Sequence, residues 1–177
     1  MRKNFLLLLV LYLGGSMASY AQETAAALEH SVEQLRSSIG LWNVTTELLN
    51  PDGTVADSLD GTYEFAWVVP DRVVSGKSLV PSQNQVSALL FYVSERKHII
   101  EMLSVGADGN LWIMTGPLGG EERRTQVFKT QGGGSGQLKF TRYNVLPDSF
   151  ESKMEYTEDG GKTWTPGNHQ VFRRSSH

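Results

Sequence analysis

The chain contains no cysteine among its 177 residues. That excludes disulfide scaffolds, thiol catalysis, haem-attachment motifs and cysteine-ligated zinc. Positive charge is not in excess either, with 16 Lys+Arg against 19 Asp+Glu and a net charge of −3. Nucleic-acid binding through phosphate neutralisation is therefore not expected. No apolar run reaches the roughly 18 residues that a membrane-spanning helix needs, so stable membrane insertion is not expected. There is no Gly-x-Ser-x-Gly elbow, Walker loop or dinucleotide fingerprint. No two histidines are spaced as metal ligands on one element, so neither a cofactor nor a metal site is called for.

What is present is a hydrophobic content of 40% and a charged content of 20%, the balance of one globular domain. Residues 1–21 have the pattern of an export signal. Arg2 and Lys3 form a positive start, Phe5 to Leu13 an apolar stretch, and Ser19-Tyr20-Ala21 a cleavage site before Gln22. The expected product is a periplasmic or secreted chain from Gln22 to His177. Without disulfides it must be held by its core alone, which is feasible where roughly 70% of the unfolded surface can be buried.

Helical periodicity occurs once, over 22–38, where Leu28, Val32, Leu35 and Ile39 fall on one stripe and Gly40 ends the segment. So narrow a stripe predicts a lid or plug lying on the adjoining sheet. From residue 39 onward the period is two. Trp42, Val44, Thr46 and Leu48 alternate with polar residues before the Asn50-Pro51-Asp52-Gly53 turn. Further strands are predicted at Tyr63–Val69, Arg72–Val80 (with Gly76 marking a bend or bulge), Val86–Ser94 and Lys97–Val105, the last two flanking a tight Glu95-Arg96 hairpin. Leu111–Thr115, Arg123–Thr130, Gln137–Leu146, Phe150–Tyr156 and Asn168–Arg174 complete the set. Connections this short leave no room for parallel crossovers. The expected fold is an all-β, antiparallel up-and-down barrel of about 9–10 strands, favoured over an open two-sheet sandwich because the connections read as successive hairpins.

A helix running into Ile39-Gly40-Leu41-Trp42, Gly76 within the third strand and a late Asp159-Gly160-Gly161 turn resemble the calycin-like barrels, which include lipocalins, fatty-acid-binding proteins and nitrobindin-like haem proteins. The closest resemblance is to a secreted bacterial family of unknown function with lipocalin-like barrels. It implies a barrel around an apolar cavity and no established activity.

The stretch from Thr157 to Trp164 is similar to the Asp-box of sialidases, but one copy in a chain this short reads as a structural hairpin. Arg142 shares a strand face with Phe140, Asn144 and Leu146. If that face lines the barrel, its guanidinium needs a partner: a ligand carboxylate, or Glu101, which shares a face with Ile99, Leu103 and Val105. Alternatively the register turns Arg142 outward. Trp67, Tyr63 and Trp112, with Phe65 and Trp42, are core or pocket lining. His169 lies where nitrobindin-like proteins carry a haem ligand, although the residues after it depart from that pattern. His98 is the other candidate histidine, and His30 and His177 read as exposed. The expectation is a non-catalytic binder of a small apolar or amphipathic molecule, contacted by Arg142, Tyr63, Trp67, Trp112 and Glu101. The alternatives are an isomerase- or cyclase-type enzyme in the same cavity, a haem barrel through His169, and an interaction module with a filled barrel.

Overall fold

The computed structural model describes residues 22–130 and 132–175, so the expected export signal and His177 lie outside the described residues. Helix α1 occupies 22–38. Eleven strands come after it: β1 (Gly40–Leu49), β2 (Val55–Val69), β3 (Val73–Val80), β4 (Gln85–Ser94), β5 (Ile99–Gly106), β6 (Leu111–Pro117), β7 (Glu122–Thr125), β8 (Phe128–Lys129), β9 (Ser135–Leu146), β10 (Ser149–Thr157) and β11 (Thr165–Arg174). Each strand pairs antiparallel with its sequence neighbour from β1 to β7, then β7 with β9, β9 with β10 and β10 with β11. Pairing of β11 back onto β1 closes a ten-strand, up-and-down barrel. Among the described residues only β8, a two-residue strand on the start of β9, stands outside the ring. Closure removes the open edges that would otherwise invite pairing with other chains.

The register fixes the inner face. Val44 stands opposite Phe172, Trp42 opposite Tyr63, Phe65 opposite Gly76, and Phe91 opposite both Val74 and Met102. Buried Trp42, Val44, Phe65, Val74, Val93, Ile100, Phe150 and Phe172 form one cluster with Leu35 of α1. All of them lie toward the end where the helix enters. There the rings of Phe150 and Phe172 stack at 4.2 Å, and Trp42 meets Phe150 edge-on at 5.0 Å. The core therefore fills the helix end of the barrel, and α1 plugs it.

The plug is fastened through its last turn. Gly40, at φ +120°, makes a turn into β1 that an L side chain would resist. The Trp42 indole N–H donates to the Ser38 carbonyl at 2.7 Å. Arg174, from the far end of the chain, donates to the carbonyls of Ile39 and Ser37 at 2.7 and 3.3 Å and lies 4.3 Å over the Trp42 ring. A cation on exposed helix C-terminal carbonyls satisfies acceptors the helix cannot satisfy itself.

Three strand expectations are corrected. Gly76 is neither bend nor bulge: its register is regular, and a Cβ there would meet the Phe65 ring at 2.5 Å, so glycine makes room for an aromatic side chain. The hairpin after β4 is not the two-residue Glu95-Arg96 turn but a four-residue loop over 95–98. The His98 N–H closes it onto the Glu95 carbonyl at 3.1 Å, with His98 itself at φ 54°. The predicted strand Arg123–Thr130 is broken at Gln126-Val127 into β7 and β8. β2 is also longer than its apolar half suggests, because residues 55–62 put Asp57 on one face and Ser58, Asp60 and Thr62 on the other, so the apolar Val55 and Leu59 make no steady alternation.

The Thr157–Trp164 hairpin is structural, as expected. One Asp159 carboxylate oxygen accepts the backbone N–H groups of Lys162 and Thr163 at 2.9 and 3.0 Å and the Thr157 hydroxyl at 2.7 Å; the other accepts the Thr163 hydroxyl at 2.6 Å. These bonds, led by that of the Thr163 side chain, hold its pKa well below the ordinary 3.8. A lowered carboxylate pKa means stability present above the unfolded value and lost as pH falls through the folded one. Asp159→Asn is accordingly expected to lower the melting temperature at neutral pH, with the gap from wild type closing as the solution is acidified below pH 4 (an approximate onset set by the free carboxylate). A gap constant from pH 7 to pH 2 in calorimetry would show that the charge is not what the turn uses.

Candidate ligand-binding cavity

Above the packed end the barrel is hollow. The cavity measures about 480 Å³, inside the range of about 300–1,000 Å³ typical of small-molecule sites. Its floor is α1, through Gln34, Leu35 and Ser38. Its wall is mostly apolar and aromatic, with Tyr63, Phe65, Leu89, Phe91, Met102, Trp112, Met114 and Phe140 among the lining side chains. Gln85 and Trp112, at the start of β4 and β6, place its other end at the rim opposite the helix. Ten strands make a wider ring than the eight whose interior side chains just fill, so a hollow remains once one end is packed.

Of the residues singled out from sequence as pocket lining or contacts, Tyr63, Phe65, Trp112 and Arg142 line this cavity. Trp112 is braced by Phe128, edge-on at 5.2 Å. Arg142 projects inward beside Leu138 and Phe140, and its partner is the helix, not Glu101. Its Nη1 donates to the Gln34 carbonyl at 3.3 Å, its Nη2 to the Ser37 hydroxyl at 3.0 Å, and the guanidinium lies 4.4 Å over the Phe150 ring. Asn144 and Leu146 leave that face because Asn144 takes φ 50° and breaks the alternation, so that Leu146 is left exposed.

Glu101 is a correction. Ile100, Met102 and Ser104 are the inward residues of β5, so Glu101 between them points out of the barrel and is met by Lys97 Nζ at 3.4 Å. Both faces of β5 are apolar enough to pass for the inner one, which is why its alternation misled. Trp67 is also absent from the cavity wall: it stands opposite Val74 at the helix end and packs against the filled core. His169 lies on the outer face. Its Nδ1 meets Glu47 at 2.9 Å and its Nε2 meets Glu151 at 2.8 Å, with Tyr143 stacked beside it. Burial opposes its charge, but the two carboxylates outweigh burial and raise its pKa above 6.5. Both ring nitrogens are thus engaged outside the barrel, and neither faces the cavity as a haem ligand would. His98 lies exposed in its hairpin loop and His30 contacts Glu121 at 2.8 Å.

The residue that sequence reasoning missed is Arg123. It lies on β7, only 7% exposed, and lines the cavity floor beside Arg142. Its Nη2 donates to Gln34 Oε1 at 2.6 Å and its Nη1 to the Glu121 carbonyl at 3.3 Å. Burial drives its pKa down to about 10, with the Glu121 charge opposing and the Arg142 charge assisting that fall. Burial lowers that of Arg142 in the same direction. One signal for this floor was in the sequence: Ser31, Gln34 and Ser38 recur at spacings of three and four beside the apolar stripe of α1. Ser31 and Gln34 are as buried as the stripe itself. Gln34 also donates to the Gly120 carbonyl at 3.1 Å, and Ser31 Oγ accepts the Gly119 N–H at 2.9 Å, tying the helix to the β6–β7 loop.

No protein-family model matches the chain, and no curated protein matches it. Solved structures do. The chain is similar to Rv2717c from M. tuberculosis at 12% identity and a TM-score of 0.55, covering 82% of this chain and 98% of that one. It is also similar to the S-type phycobiliprotein lyase CPES from Guillardia theta, at 11% identity and a TM-score of 0.50, covering 82% and 92%. At such identity the likeness is one of fold, and the fold is the closed barrel. The resemblance to a secreted bacterial family extends no further than that architecture.

Proposed function

We propose that the protein is an exported, non-catalytic carrier that holds one small apolar or amphipathic molecule inside the barrel. The observation that supports this reading is the cavity of about 480 Å³, apolar-walled and floored by a helix, in a barrel whose other half is tightly packed. Apolar surface left facing a hollow gains on the order of 25 cal/mol per Å² when a guest removes it from water, which is the driving force such a site offers. Tyr63, Trp112 and Arg142 are proposed contacts. A filled barrel acting only as an interaction module has no use for this hollow. The uncharged probe N-phenyl-1-naphthylamine tests the reading without reference to any headgroup. Its fluorescence is expected to rise saturably with one site per chain, and Trp112 emission to fall in step. No saturable binding up to the solubility of the probe would overturn the proposal.

A further inference from the structure

Two arginines lie side by side at the cavity floor, and neither forms an ion pair among the described residues. The partners they have are neutral: the Gln34 side chain and carbonyl, the Ser37 hydroxyl and the Glu121 carbonyl. The Nε–H of Arg123 and the Nε–H of Arg142 are both buried without a protein acceptor. Leaving a charged donor buried and unmatched is costly, so folds that retain one usually answer it with something outside the chain. Of the carboxylates near enough to be felt, Glu33 meets Arg36 at 3.5 Å, and Glu121 gives one oxygen to His30 at 2.8 Å while its other is buried without a hydrogen-bond donor. The floor thus carries two positive charges, partly offset by Glu121, beneath a wall of apolar side chains.

From this we infer that the cavity is specific for an amphipath ending in a single carboxylate, whose head sits on Arg123 and Arg142 against α1 and whose apolar tail runs toward Trp112 at the rim. The inference rests on the carrier reading and names the ligand class of that same cavity. A planar carboxylate has two acceptor oxygens, one for each guanidinium, and its single charge matches the imbalance of two guanidiniums and Glu121, Glu33 being spent on Arg36. Phe150, whose ring centre lies 4.4 Å from the Arg142 guanidinium carbon, adds a cation–π contact that helps hold the side chain in place. Gln34 fixes both arginines from the helix, so the seat is formed before any guest arrives.

The test compares cis-parinaric acid with its methyl ester, which share a tail and differ in charge. Wild type is expected to bind the acid at least about 10-fold more tightly than the ester, as a buried charge-assisted pair implies. Arg123→Met and Arg142→Met are each expected to weaken the acid by about 10- to 100-fold and to change the ester by less than about 3-fold. Removing a buried charge need not harm the fold, and circular dichroism checks that it does not. If a variant fails to fold, the acid-to-ester ratio of the wild type decides alone. Equal affinity of wild type for acid and ester overturns the carboxylate seat while leaving the carrier reading intact. Better displacement by dodecyl phosphate than by lauric acid also overturns it, in favour of a phosphate head. Failure of acid, ester and the uncharged naphthylamine together removes the cavity reading itself.

Discussion

Trp42→Ala is expected to cost about 3–5 kcal/mol of folding stability, the range for deleting a large aromatic side chain from a well-packed core. Trp42 is 1% exposed and sits at the centre of the contacts that fasten the plug to the barrel. It packs edge-on against Phe150, lies under the Arg174 guanidinium and bonds the last turn of α1 through its indole N–H. Truncation empties a space that the surrounding β-ring is too rigid to collapse into, so the cavity cost adds to the lost transfer energy. Trp42→Phe keeps most of the packing and loses the bond to Ser38, and it is expected to cost only about 1–2 kcal/mol. Equilibrium urea unfolding measures both. A loss below about 1 kcal/mol for the alanine variant, at the bottom of the usual range for point mutants, would mean that the helix end is not held through this residue.

Ser104→Trp is expected to abolish binding of the uncharged naphthylamine, with an affinity loss above about 100-fold (a steric block worth two decades of binding constant), while the melting temperature hardly moves. Ser104 points inward from β5 between Leu89 and Trp112, on the hollow side of the barrel. A new side chain there enters open volume, so the strain that normally accompanies small-to-large changes in a core, about 1–3 kcal/mol, does not arise. Lys77→Trp, on the exposed outer face of β3, serves as the control and should bind as wild type does. Retained binding in Ser104→Trp, measured by the same titration, would place the guest outside the barrel.

The architecture was readable because its signals are local and repeated. Period-two alternation in Trp42–Leu48 and Phe150–Tyr156, turn residues such as Asn50-Pro51-Asp52-Gly53, and connections too short for crossovers leave little but an antiparallel meander. The single stripe Leu28-Val32-Leu35 marked α1 as something that must lie on the sheet. Which face of each strand looks inward was harder. Arg142 was on a face with enough large apolar neighbours to suggest the interior. β5 offers Ile99 and Leu103 on one side and Ile100 and Met102 on the other, so alternation gives no preference there, and Glu101 was assigned to the wrong one. Arg123 was invisible because β7 reads Glu-Arg-Arg-Thr, a short charged run with no pattern to mark one arginine as buried. Its place is set by Gln34, 89 residues away in sequence, a contact that no local reading supplies.

The helix that seals one end of the ring also makes the vessel blind. With α1 tied down by Arg174, Trp42 and the β6–β7 loop, the rim near Gln85 and Trp112 must serve both arrival and departure. A guest seated on the arginines therefore has to enter head first and back out the way it came. On the carrier reading, such a container would not pass a guest through. It would equilibrate with whatever lies outside its mouth, and an acceptor there would set the direction of delivery.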